Sequence, residues 1–199
     1  MNTRISLANQ LTEKVEEMDG LVNFLLADSD IGNELIGQQL LIAEKTGNLS
    51  YVNALIRMRV RAVVSMLEAI CFYFRHLSRD LCVLLKKELS EDCRKLDDNK
   101  KIDMKDKLKL SFRCLAYSLG KNIEIDVASS RWQNVCNLLE RRHQLTHPTN
   151  IEDLQVTEKD YENANMAMFW LVDFFYKLMG KENSKEYIDL QEQISRLSK

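Results

Sequence analysis

A single proline, Pro148, and six glycines stand among 199 residues. Few turns can be built from so little, so long helices joined by short connections are what remains. Strand-like alternation, internal repeats and low-complexity tracts are also missing. No glycine-rich phosphate loop, G-x-S-x-G elbow or H-E-x-x-H pair occurs, which sets aside most familiar enzyme classes. Cys71, Cys82, Cys93, Cys114 and Cys136 form no C-x-x-C pair. They are odd in number and widely spaced, and they read as reduced thiols in the core of a cytosolic chain rather than as metal ligands. No stretch reaches the roughly 18 uninterrupted apolar residues of a membrane span. The start, Met1-Asn2-Thr3-Arg4-Ile5, lacks the apolar run of a signal peptide. The expectation is a cytoplasmic chain with no membrane partner.

What is present is ordinary for a globular protein: 45% hydrophobic and 29% charged residues, in a length that suits one domain. The net charge of −2 gives no overall attraction to nucleic acid, so any such binding must be local.

Apolar residues at Leu7, Leu11, Val15, Met18, Leu21, Val22 and Leu25 fall three or four apart, the spacing of one helical face. Ala27-Asp28-Ser29-Asp30 reads as a break, after which Leu35, Ile36, Leu40 and Ile42 outline a second helix up to Gly47-Asn48. Residues 1–49 are therefore expected to form a helical hairpin on the main bundle, or an arm that reaches a second subunit.

Ser50 is a candidate cap for the next helix, expected to run to about Leu89 and to lie centrally. Arg57, Arg59 and Arg61 cluster near its start, with Arg57 and Arg61 one turn apart. They form either a solvated face or a phosphate-contacting patch. Glu68 interrupts the apolar run Val63–Cys71, where a carboxylate is costly unless paired or exposed. An ion pair with a distant arginine is one resolution and a place in a functional site is another. From Arg57 to Arg113, fifteen Lys/Arg face nine Asp/Glu, enough for a basic surface though much of it alternates in sign. Ser90-Glu91-Asp92 signals a helix start, Asp97–Lys101 a polar loop, and Met104 to Leu119 a helix closed by Gly120. Thr157-Glu158-Lys159-Asp160 resembles a capping box before a last long helix with Tyr161, Met168, Phe169, Leu171, Val172, Phe175 and Leu178. That stripe reads as core. Residues 181–199 form a polar C-terminal helix or tail, with Tyr187, Ile188, Leu190, Ile194 and Leu197 at helical spacing and Glu192 and Arg196 one turn apart.

The densest chemistry lies at Arg142-His143-Gln144-Leu145-Thr146-His147-Pro148, the end of a helix expected over Ser130 to His147. Proline disfavours helix in the residue before it, which places His147 at a C-terminus whose carbonyls favour a protonated imidazole. A histidine exchanges protons near neutrality, and an arginine offers a permanent planar fork to phosphate oxygens. His143 and His147 lie roughly 40° apart on an ideal helix, Arg142 roughly 140° from His147. The same pair of histidines could instead hold a metal, but no third ligand is evident and no cofactor is expected. In the plainest reading Arg141 and Arg142 cap the helix and His147 hydrogen-bonds in a turn.

Arginine, a polar residue, three further residues and histidine resemble the signature of the HEPN superfamily (higher eukaryotes and prokaryotes nucleotide-binding domains). The resemblance covers roughly Ser50 to Gly180 and implies an up-and-down all-α bundle, here with an N-terminal helical extension. It further implies a metal-independent endoribonuclease that dimerises through its motif helices, with RNA as substrate. Arg142 and His147 would be catalytic, His143, Thr146, Arg141 and Glu68 would position the substrate, and Arg57 and Arg61 would bind nucleic acid. Family analogy suggests a toxin–antitoxin or phage-defence setting with an antitoxin or defence partner. The alternative is a non-catalytic HEPN-like module that binds a partner protein or nucleotide.

Overall fold

The computed structural model describes residues 2–98, 101–185, 187–188 and 191–192. Six α-helices occupy the described residues, and none of these residues is in a strand. They are α1 (Asn2–Thr46), α2 (Leu49–Leu84), α3 (Glu91–Asp97), α4 (Met104–Ser118), α5 (Ser130–Thr146) and α6 (Glu158–Met179). The chain is all-α. Among the described residues no helix is long and apolar enough to cross a membrane.

The expected break at Ala27-Asp28-Ser29-Asp30 does not occur. α1 runs through it as one helix of 45 residues, so the segment makes no hairpin. Asp and Ser cost only a few tenths of a kcal/mol each in a helix interior, and no proline is present to stop the turn. Met18 and Val22 before the expected break and Ala43 after it are all buried, at positions that share one helical face. Continuous packing overrides a local polar cluster.

α2 begins two residues earlier than a cap at Ser50 implies. Asn48 caps it: the side-chain Oδ1 accepts the Tyr51 amide at 3.2 Å. α2 also ends earlier, at Leu84 rather than near Leu89, with Lys86 in a left-handed conformation (φ 53°) just beyond. The chain divides into two compact units that share this helix. Unit 1 consists of Met1–Gly47 and Val64–Glu124, unit 2 of Asn48–Val63 and Ile125–Lys199.

In unit 1, α1, the later part of α2, α3 and α4 bury Leu67, Ile70, Phe74, Leu81, Leu108 and Leu115 completely or nearly so. Phe74 meets Phe112 edge-to-face at 5.1 Å, a geometry worth about 1 kcal/mol beyond the area it buries. Ser90 caps α3 as its sequence suggests, accepting the Cys93 amide at 3.2 Å. Asp97, expected in a polar loop, is instead the last residue of α3. It accepts from Nε of Arg75 at 3.1 Å and of Arg79 at 3.0 Å, tying α3 to α2. Those bonds and charges outweigh the opposing effect of burial and hold its carboxyl below the usual range. Four of the five cysteines are buried, and Cys136 is half-buried.

In unit 2, α5 and α6 pack along their lengths and the first part of α2 adds Leu55, Ile56 and Val60. Trp132 and Trp170 lie 5.4 Å apart between α5 and α6. The capping box at Thr157 is present, with the Thr157 amide and hydroxyl both donating to Asp160 Oδ2. Gly180 ends α6 in the left-handed region (φ 69°). Buried Asp173 receives Lys177 Nζ at 2.8 Å, Tyr187 Oη at 2.8 Å and Gln191 Nε2 at 2.7 Å, and Arg131 Nη1 lies 3.3 Å away. Through Tyr187 and Gln191 this carboxylate anchors the segment after α6. Leu190, Ile194, Arg196 and Leu197 of the expected tail helix lie outside the described residues.

Candidate functional site

The motif belongs to unit 2 and occupies the last turn of α5. Ser129 caps the start of that helix, its Oγ accepting the Trp132 amide at 3.2 Å. Trp132, Val135, Leu138, Leu139 and Leu145 are buried, at successive steps of three, three, one and six residues. This apolar stripe fixes the rotation of α5, so His143, Thr146 and His147 are left exposed and Arg142 partly so. His147 has φ −126° and ψ 61°, and its amide still donates to the His143 carbonyl at 2.9 Å. Helical hydrogen bonding thus persists up to the residue that Pro148 forces out of helical geometry.

The two imidazoles share the exposed end of the helix. Their ring centroids are 5.2 Å apart and their planes 54° from parallel. Two imidazoles therefore stand side by side at a surface. Among the described residues, no three of His, Cys, Asp and Glu converge as a metal ion would need.

Three arginines surround this end and each is tied into the protein. Arg61 on α2 donates from Nη2 to the Leu145 carbonyl at 3.2 Å. Arg57, one turn earlier, donates from Nη1 to the Leu154 carbonyl at 3.0 Å. Arg141 points inward, its Nη1 donating to Gln144 Oε1 at 2.7 Å and its buried Nε lying 3.4 Å from Asp160 Oδ1 without a hydrogen bond. The structure thus brings Arg61 to the motif and Arg57 to the loop that follows it, where each braces a backbone carbonyl. Each guanidinium has five N–H donors, so Arg61, which is exposed, retains capacity for a further acceptor. Thr146 spends its one hydroxyl proton on the Arg142 carbonyl at 2.8 Å, which leaves it an acceptor towards anything else.

Glu68 is placed elsewhere. It lies in unit 1, where with Cys71, Phe72, Arg75, Lys107 and Ser111 it lines an open cavity of about 630 Å³. Burial pushes the Cys71 thiol up to about 12, so it is no nucleophile near neutrality.

The loop after Pro148 is more ordered than its polar composition suggests. Asp153 Oδ2 accepts from the Thr149 amide at 2.7 Å, the Thr149 hydroxyl at 2.8 Å and the Asn150 amide at 3.2 Å. Asn150 Oδ1 accepts the Asp153 amide at 3.0 Å in return. These bonds, led by the one from the Thr149 amide, lower the Asp153 carboxyl below its ordinary value. A short 3₁₀ turn, Glu152–Leu154, follows. The signal was available in the sequence: Asn150 and Asp153 stand at the spacing of a reciprocal cap, the pattern that marked Thr157 and Asp160. Arg57 reaches the end of this turn, so the loop and the motif are held from the same helix.

Comparison with protein-family models, with curated proteins and with solved structures finds no match to the chain.

Proposed function

We propose that the chain is a HEPN-type, metal-independent endoribonuclease with its site at the C-terminal end of α5. The observation that carries this reading is the pair of exposed imidazoles, His143 and His147, with ring centroids 5.2 Å apart, in the helical turn that also carries Arg142. In the proposed reaction His147 takes the proton of a ribose 2′-OH. The 2′-oxygen attacks the adjacent phosphorus, and the bond to the 5′-oxygen breaks as that oxygen takes up a proton. Arg142 stabilises the charge that builds on the phosphoryl oxygens, and His143 holds the phosphate from the same face. The products carry a 2′,3′-cyclic phosphate and a 5′-OH. DNA is not a substrate because it lacks the nucleophile. Arg57 and Arg61 add positive charge beside the site while bracing it.

One chain supplies one Arg142/His147 set, and a second copy meeting it across α5 would complete a composite site. A toxin–antitoxin or phage-defence role with a partner protein follows by family analogy alone. None of the five cysteines is in a disulfide, which suits a reducing cytoplasm. The test is incubation of the full chain with mixed RNA, with and without EDTA, followed by analysis of product ends. Cleavage that survives EDTA, leaves cyclic phosphate and disappears in His147→Ala supports the reading. Cleavage that EDTA abolishes points to a metal on His143 and His147.

A second reading has its own support. Arg57, Arg61 and Arg141 spend donors on protein carbonyls, Gln144 and Asp160, as a structural helix end would require. If wild type and His147→Ala are indistinguishable on every RNA, a module that binds a protein or nucleotide is the better account.

A further inference from the structure

α1 carries two apolar faces, and the fold uses one of them. Met18, Val22 and Ala43 are buried. Roughly 120° around the helix lie Phe24, Ile31, Leu35 and Ile42, within an arc of roughly 40°. These four are 66%, 59%, 57% and 53% exposed, so the stripe is left open to solvent. It extends for about 27 Å along the helix. Isolated exposed apolar residues need no explanation, but a line of four at heptad spacing is the pattern of a helix–helix seam.

We infer that this face pairs with the same face of a second copy, α1 against α1 in antiparallel orientation about a two-fold axis near Asn33. The spacing carries the orientation. Phe24 and Ile42 are equidistant from Asn33, and so are Ile31 and Leu35. An antiparallel pair therefore sets Phe24 against Ile42 and Ile31 against Leu35, each layer twice. The two polar positions within the stripe, Asp28 and Gln38, are also equidistant from Asn33, and the Gln38 amide can donate to the Asp28 carboxylate of the other copy. Parallel pairing would instead place the two Asp28 carboxylates in one layer, which is unfavourable. Leu41, 59% exposed, falls beside the seam opposite the small Ala27 and adds to it.

The five side chains leave roughly 1,000 Å² of apolar surface for two copies together. With the flanking polar atoms added, that reaches the size of a specific interface. A lipid surface fits the stripe poorly, because Asp28, Asp30 and Glu34 are the charged residues between Phe24 and Ile42 and an anionic bilayer calls for lysine and arginine. The pairing does not rest on the ribonuclease reading and uses a surface other than α5.

The test is the mass of the full chain in solution by light scattering. The expected result is at least twice 23.2 kDa for the wild type, and half the wild-type mass for the double variant Ile31→Asp/Leu35→Asp with unchanged helical circular dichroism. Arg142→Ala and His147→Ala should keep the wild-type mass. A monomeric wild type at tens of micromolar overturns the inference, and so does a double variant that keeps the wild-type mass. If the double variant loses helix, Ile31→Lys and Leu35→Glu are made separately. Each alone should associate weakly, and their mixture should restore association through a Lys–Glu layer beside an intact Ile–Leu layer. A mixture no better associated than its components overturns the antiparallel register.

Discussion

Arg61 on α2 donates to the carbonyl of Leu145 at 3.2 Å, across 84 residues of sequence. Leu145 lies in the last turn of α5, where backbone carbonyls have no partner within the helix. The guanidinium supplies both a donor and a positive charge at the negative end of the helix dipole. It thereby fixes the turn that carries Thr146 and His147.

Arg61→Ala should lower stability by about 1 kcal/mol, the scale of one partly exposed charged hydrogen bond. Urea unfolding followed by circular dichroism measures this. Under the proposed function the same variant should also cleave RNA more slowly, and raised salt should narrow the gap between it and the wild type. An unchanged urea midpoint would mean that the Leu145 carbonyl is satisfied equally well by water.

Arg141 and Arg142 should separate stability from chemistry. Arg141 faces Asp160 with both side chains largely buried, so Arg141→Ala removes the opposite charge from a carboxylate that keeps its bonds from Thr157, and should cost about 2 kcal/mol. Below its melting temperature it should still cleave. Arg142→Ala should lose cleavage with a smaller change in melting temperature. The reverse outcome would move the proposed catalytic arginine by one residue.

Asp173 gives the fold a pH dependence. Burial raises its carboxyl, but the hydrogen bonds from Lys177 and Tyr187 and the charges of Lys177 and Arg131 prevail and hold it below the ordinary value. The folded chain therefore binds this proton less readily than the unfolded chain. Its stabilisation is complete above the ordinary carboxylate pKa of about 4 and fades as pH falls below it. Tyr187 works at the other extreme. Burial and the bond to Asp173 push it up to about 12. The folded chain keeps that proton where the unfolded one loses it, so stability falls as pH rises from about 10 to about 12. Asp173→Asn should cost about 2 kcal/mol at pH 7 and markedly less at pH 3, read from urea midpoints at the two values.

Two glycines should respond in opposite directions to alanine. Gly20 sits within α1 with open space where a Cβ would stand, so Gly20→Ala should stabilise by about 1 kcal/mol. Gly180 has φ 69°, and Gly180→Ala should destabilise by about 1 kcal/mol. Thermal melts of the two variants check both signs.

Much of the architecture was legible because its signals are local. Ser90, Thr157 with Asp160, and Gly180 each mark a helix boundary through bonds to near neighbours, and the helices begin or end there. Pro148 likewise fixed His147 at the end of α5. The misreading at Ala27–Asp30 came from weighing the same kind of signal where long-range packing governs. The environment of the site was not legible. Arg61 and Leu145, Arg57 and Leu154, and Arg141 and Asp160 are joined by packing, and no spacing in the sequence relates them. The polar network on Asp173 was hidden for the same reason. Its partners Arg131 and Tyr187 come from either side of α6 in the chain, and Asp173 itself stands in an apolar stripe that reads as core.

The division of α2 between the two units bears on how the chain can fold as it is made. Unit 1 takes residues from both sides of Asn48–Val63, and unit 2 needs that same stretch together with Ile125–Lys199. When Glu124 leaves the ribosome, every segment of unit 1 has been synthesised. Leu55, Ile56 and Val60 must still wait for α5 and α6, with their apolar side chains lacking a final partner. Neither unit can be excised as one continuous fragment, and a fragment starting at Ile125 would lack residues 48–63 and with them the bonds that Arg57 and Arg61 make to the Leu154 and Leu145 carbonyls.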